Sequence, residues 1–255
     1  MVKMWLSGCA LLLVACTVNA PTEENDQPIT GGKIDQTHPA VVALVEDDAD
    51  GKTGTFFCTG TLIRPDIVLT AAHCLVHRGE RSLHIARDFR APPSFTSFGR
   101  NHFATSRMVQ VIGRAIPKKY SDTDPQLLND YAVLRVKTPI AGVTPMALRR
   151  TPIATGMQVA LVGFGLSEGP GVEKIMPLLA QSEIASVKAT QFVGALGADT
   201  CSGDSGGPAL VREGVQEVVA GITSFGPADC TGAGTYTRVD VFHQAIESAI
   251  VALDG

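Results

Sequence analysis

From Ile29 onward the chain is a succession of short β-type runs, cut at close intervals by Gly, Pro, Asp and Ser. The runs are Val41 to Val45, Thr59 to Ile63, Ile67 to Thr70, Met108 to Ile112, Tyr131 to Val136, Gln158 to Val162, Glu183 to Val187, Ala209 to Val211, Val218 to Thr223 and Thr235 to Val239. Arg64-Pro65-Asp66 reads as a tight connection, and Asp47 to Gly51 is rich in turn formers. Many short strands at regular spacing fold as a sandwich or a barrel, so the chain is read as all-β. Only one stretch has helical period. After Asp240, read as an N-cap, apolar residues fall at Val241, Phe242, Ala245, Ile246, Ala249, Ile250 and Leu253. The polar face of that stripe lacks Lys and Arg, so it is expected to pack on the β body and not on a membrane. Arg87 to Arg107, with Pro92 and Pro93, reads as a long loop, and no internal repeat is visible.

Composition narrows the function classes. The 255 residues are 45% hydrophobic and 18% charged, ordinary globular values that allow a sizeable core in one or two domains. A net charge of −4 lacks the basic footprint of a nucleic-acid binder, so no nucleic acid is expected as partner. The long apolar stretch lies at the extreme N-terminus, which excludes a multi-span membrane protein. There Lys3, Trp5 and Leu6 precede the apolar run Ala10 to Ala15, the pattern of an export signal. Leu13-Val14-Ala15-Cys16 looks like a bacterial lipobox, which makes residues 1–15 the signal and Cys16 a lipid-bearing N-terminus in the cell envelope. The other reading is cleavage after Ala20 and free secretion, although Pro21 would follow that cut. Residues 16–28 contain two prolines, three acidic residues and almost nothing to bury, and are read as a disordered tether or pro-segment. Residues 29–255 are then the folded part, close to neutral.

Three segments bear chemistry: Thr70-Ala71-Ala72-His73-Cys74, Asn129-Asp130-Tyr131-Ala132-Val133-Leu134 and Gly203-Asp204-Ser205-Gly206-Gly207-Pro208. Singly each has an ordinary reading, as a core histidine, a turn aspartate and a Gly-rich loop. Together, in the order His, Asp, Ser, they resemble the trypsin/chymotrypsin-type serine peptidases across essentially all of residues 29–255. The resemblance implies two packed antiparallel β-barrels, divided near residues 140–155, with the site in the cleft between them and a C-terminal helix. It implies an endopeptidase acting on proteins or peptides. A serine hydroxyl is a weak nucleophile at neutral pH and needs a base to take its proton. His73 is of the residue type suited to that task, and Asp130 would hold its tautomer. The backbone N–H groups of Gly203 and Ser205 would stabilise the oxyanion.

Further expectations follow from the resemblance. With Cys9 in the signal and Cys16 lipidated, Cys58, Cys74, Cys201 and Cys230 remain. Four cysteines allow three connectivities, and the resemblance implies Cys58–Cys74 and Cys201–Cys230. Asp199, six residues before Ser205, would form the floor of the specificity pocket beside Thr200. Ser224, Phe225, Gly226 and Gly234 would form its walls, giving preference for Arg or Lys before the scissile bond. Ile29-Thr30-Gly31-Gly32 resembles the N-terminus freed when a zymogen is cut, whose ammonium would pair with Asp204. Thr30 stands where the family has valine. Pro28 precedes the cut where Arg or Lys is usual, so a separate activating protease is expected. Gly163-Phe164-Gly165 replaces the common Gly-Trp-Gly, and the chain from Cys230 to Gly234 is short. No cofactor and no metal is expected, since nothing after His73 resembles the family's calcium loop. His38, His77, His84, His102 and His243 are read as structural or solvated. Two alternatives stand beside this reading: a non-catalytic binding module, and a peptidase of chymotrypsin-like or elastase-like preference.

Overall fold

A computed structural model describes residues 32–48, 53–76, 78, 82–86, 108–165, 177–197, 200–227 and 230–254, with 94–95 and 101–104 as backbone. The expectations for Cys16, the tether, Ile29 and Asp199 lie outside the described residues. The strands are β1 (Lys33–Ile34), β2 (Val41–Asp47), β3 (Thr53–Arg64), β4 (Ile67–Thr70), β5 (Leu83–Ala86), β6 (Ser94–Phe95), β7 (Asn101–Ala104), β8 (Val109–Ala115) and β9 (Ala132–Val136). There follow β10 (Ala147–Leu148), β11 (Gln158–Gly163), β12 (Leu178–Val187), β13 (Gln191–Gly194), β14 (Pro208–Glu213), β15 (Gln216–Phe225) and β16 (Thr235–Arg238), then helix α1 (Val239–Asp254).

The strands close into two six-strand antiparallel barrels. The first runs β2-β5-β8-β9-β4-β3 and is sealed by β3 against β2. The second runs β12-β11-β14-β15-β16-β13 and is sealed by β13 against β12. Closure leaves neither barrel an open edge. Where a strand has one wet face, exposure alternates: Ala180, Ser182 and Ile184 of β12 are buried while Gln181 and Glu183 are exposed. The second half of β3, from Cys58 to Leu62, is buried on both faces because it also meets the second barrel.

α1 follows the second barrel but lies across the first. Phe242 packs on Tyr131 with the rings tilted and their centroids 4.9 Å apart, and Leu253 packs over Gly113 of β8. Ion pairs Arg64–Glu247 and Arg135–Asp254 tie its middle and its C-terminal end to the first barrel. Val239, Ile246 and Ile250 are buried in a core that continues from the first barrel into Ala160, Val162 and Val219 of the second. A separate core fills the second barrel around the stacked pair Phe192 and Tyr236, 4.9 Å apart.

Several sequence expectations need correction. Asp240 does not cap the helix, which begins one residue earlier. It sits in the first turn and holds the Arg238 guanidinium, with Nε 3.0 Å from Oδ1. A carboxylate there also faces the positive end of the helix dipole. β3 and β12 are about twice as long as expected, since their outer halves carry polar residues on the wet face. The stretch Arg87 to Arg107 contains β6 and β7, with β7 paired to the outer half of β3.

Candidate active site

β4 ends at Thr70, and the fully buried Ala71 and Ala72 turn the chain so that His73 emerges into the cleft. The turn is tied to β3 by the disulfide Cys58–Cys74, one of the two pairings expected. Asp130 precedes β9, with no exposure to solvent. Its Oδ2 lies 2.7 Å from His73 Nδ1 and accepts the Ser224 hydroxyl, while Oδ1 accepts the His73 backbone N–H at 2.9 Å. A carboxylate can only accept, so the neutral imidazole carries its proton on Nδ1 and keeps a lone pair on Nε2. That is the tautomer a general base requires. The sulfurs of Cys58 and Cys74 approach this ring closely, but a disulfide offers no thiolate for a metal.

The Ser205 loop is seated between the barrels. Gly203 and Gly206 have φ of 96° and 82°, in the left-handed region that favours glycine. A Cβ on Gly206 would fall 2.1 Å from Thr70 Oγ1, and one on Gly203 would fall 2.7 Å from the Phe56 ring. Gly206 N–H donates to Thr223 O, and Thr223 N–H donates to Gly207 O, both at 2.8 Å. Ser205 is half-buried, its carbonyl 3.7 Å from Cys74 Sγ, which is itself 3.7 Å from His73 Nε2. Among the described residues no hydrogen bond joins Ser205 Oγ to the imidazole, a looseness common in sites without substrate. Among the same residues the N–H groups of Gly203 and Ser205 donate to no protein acceptor.

Asp204 is fully buried, its carboxylate accepting Gly165 N–H at 2.7 Å and Cys201 N–H at 2.9 Å. It lies against Gly163 and Gly165, where any Cβ would collide with it. Burial pushes its pKa up to about 6, against the pull of those two N–H donors. Phe164 is buried edge-on to Phe56, with ring centroids 6.4 Å apart.

The expected pocket residues come together in part. Thr200 and Ser224 are buried, Phe225 is half-buried, and Cys201–Cys230 is bonded as expected. A Cβ on Gly226 would lie 3.6 Å from Gly234 Cα, so these two walls face each other as bare backbone.

Two residues were not singled out from the sequence. Thr59, fully buried in β3, donates its backbone N–H to Ser205 O and its hydroxyl to Gly203 O, both at 2.8 Å. Gln191, buried at the start of β13, donates 2.7 Å from Nε2 to Gln126 O in the loop before Asp130. A polar residue inside a doubly buried stretch is the signal that marks Thr59. Gln191 carries none.

The sequence model of the family described as Trypsin matches residues 29–246. Spaetzle-processing enzyme of Drosophila melanogaster is 32% identical over 80% of this chain, and the chain spans 61% of that protein's length. Brachyurin of Leptuca pugilator is 29% identical over 86% of this chain and 97% of its own. Anionic trypsin of Canis lupus familiaris is 26% identical over 95% of this chain and 97% of its own.

Proposed function

The chain belongs to the trypsin family of serine endopeptidases, and on that premise we propose that His73, Asp130 and Ser205 form its catalytic triad and that it cuts after Arg or Lys. The observation that carries the triad is the 2.7 Å contact between His73 Nδ1 and Asp130, which leaves Nε2 as the free base of the ring.

In this mechanism Ser205 Oγ attacks the scissile carbonyl as His73 Nε2 takes its proton, and Asp130 stabilises the imidazolium. The oxyanion accepts from Gly203 N–H and Ser205 N–H, which compete with no protein acceptor among the described residues. His73 then protonates the leaving amine, and water hydrolyses the acyl-enzyme by the same steps. Asp199, by its place six residues before Ser205, is the counter-ion for Arg or Lys, and the absence of side chains at Gly226 and Gly234 supports this reading.

The zymogen reading extends this. Cleavage between Pro28 and Ile29 by another protease frees an ammonium for Asp204, whose pKa burial raises, so that a cation beside it would be held. The lipobox-like Leu13 to Cys16 supports export with a lipid on Cys16, so that residues 16–28 tether the precursor to a membrane.

The test is hydrolysis of an Arg-amide fluorogenic peptide by protein processed to begin at Ile29. Ser205→Ala is expected to lower kcat/KM by roughly 10⁴-fold or more with the fold intact. Near-wild-type turnover by that variant overturns the triad. A processed wild type without turnover on a full peptide library favours the binding module instead.

A further inference from the structure

The Ser205 loop belongs to the second barrel, yet it is also held by a residue of the first. Thr59 lies 144 residues before Gly203 and has no solvent exposure. Its hydroxyl donates to Gly203 O at 2.8 Å and accepts Phe164 N–H at 3.0 Å. Its backbone N–H donates to Ser205 O, and its backbone carbonyl accepts the hydroxyl of Thr70, three residues before His73. One buried residue thus joins the carbonyls on both sides of Asp204, the strand end that leads to His73 and the segment Phe164-Gly165. That last segment in turn donates to the Asp204 carboxylate through Gly165 N–H.

We propose that Thr59 is a positioning residue for the oxyanion hole: its hydroxyl fixes the Gly203 carbonyl and so aims the Gly203 and Ser205 N–H groups at the point where charge develops. The inference rests on the peptidase reading and adds a requirement to it. Gly203 has no side chain to lock its dihedrals, and φ of 96° is one of several conformations open to glycine. An external acceptor–donor contact must therefore choose among them. Because Thr59 Oγ1 is bonded on both sides, its hydrogen points to Gly203 O and its lone pair to Phe164 N–H, leaving the rotor no alternative. A donor held this way needs no reorganisation when the oxyanion forms, which is the condition for electrostatic catalysis.

The experiment compares wild type, Thr59→Val, Thr59→Ala and Thr59→Ser, each processed to begin at Ile29 and shown folded by its melting transition. Thr59→Val keeps the shape and removes the hydroxyl. Thr59→Ala is the second hydroxyl-free form, should the valine variant fail to fold. For one peptide amide, loss of the hydroxyl is expected to lower kcat by about 10- to 100-fold with KM within about twofold. A peptide boronate, which mimics the tetrahedral state, should weaken in parallel. Thr59→Ser should restore kcat to within about threefold of wild type. Amide exchange over residues 201–206, which needs no turnover, should quicken in the hydroxyl-free variants and not in Thr59→Ser. Wild-type kcat in both hydroxyl-free variants, or a serine variant as impaired as they are, overturns the proposal. So does unchanged exchange. An inactive wild type whose exchange still responds to the hydroxyl defeats the peptidase reading alone, and the proposed hold on the loop stands.

Discussion

At the scale of the residue, whether a buried group carries charge depends on whether hydrogen bonds outweigh the loss of water, which at Asp204 they do not. His38 illustrates the rule away from the cleft. Its Nδ1 and Nε2 lie 2.9 Å from Asp35 and from Glu217 of β15, joining the segment after β1 to the second barrel. Burial opposes the charge on His38, but bonds to Asp35 and Glu217 outweigh it and hold the pKa above 6.5. The Asp35 carboxyl is likewise opposed by burial, yet hydrogen bonds from His38 and Thr37 hold its pKa below 3.8. The histidine's stabilisation is complete below pH 6.5 and is lost as pH rises through its higher folded value. The aspartate's is complete above pH 3.8 and is lost as pH falls through its lower folded value. The melting temperature is therefore expected to fall from about pH 6 to pH 8, and to fall less in His38→Gln. Equal slopes for the two proteins would remove His38 from the account. The sequence did not disclose this cluster. It marked His73, Asp130 and Ser205 because their neighbours are distinctive, whereas Thr59, Gln191 and the bond from His38 to Glu217 depend on partners remote in sequence.

At the scale of the element, local pattern was informative where one face of a segment is wet or where a segment is wholly apolar. The 3.6-residue stripe of α1 and the apolar runs of β2, β4 and β11 were plain in the sequence. β5, with a histidine in LHIA, and β13, which begins with Gln191 and ends with Gly194, were not. These two strands are four residues each, too short to show a period, and are held by their neighbours in the closed barrels. The pairings that complete each barrel across the sequence, β4 with β9 and β13 with β16, are long-range, and no single window contains them. α1 gives the element-scale prediction. Ile246 is fully buried between the helix and the β body. Ile246→Ala should cost about 2–5 kcal/mol by leaving a cavity, and lower the melting temperature by roughly 5–15 °C. Activity per folded molecule at 25 °C should persist, since no atom of α1 bonds the triad. A loss of kcat without loss of stability would contradict this.

At the scale of the whole molecule, the chain places its proposed lipid, its proposed cleavage point and its folded part in that order. A cut before Ile29 would separate the peptidase from residues 16–28, so activation and release from the membrane are expected to be one event. Fractions of cells expressing the full chain can be labelled with a fluorophosphonate serine probe. Label is expected on a soluble species that begins at Ile29. Equal labelling of a lipid-bearing, full-length form would show that the two events are independent. The position of α1 also bears on how the molecule is made. His73 and Asp130 are synthesised well before Ser205, and the last sixteen residues of regular structure are those that clasp the barrel made first. A chain still emerging from the ribosome or passing through a translocation channel holds only half of the cleft. The Ser205 loop has no seat until Thr59 and strands β14 to β16 have met. Biosynthetic order thus gives the cell an interval in which this peptidase has no assembled catalyst, before any pro-segment needs to restrain it.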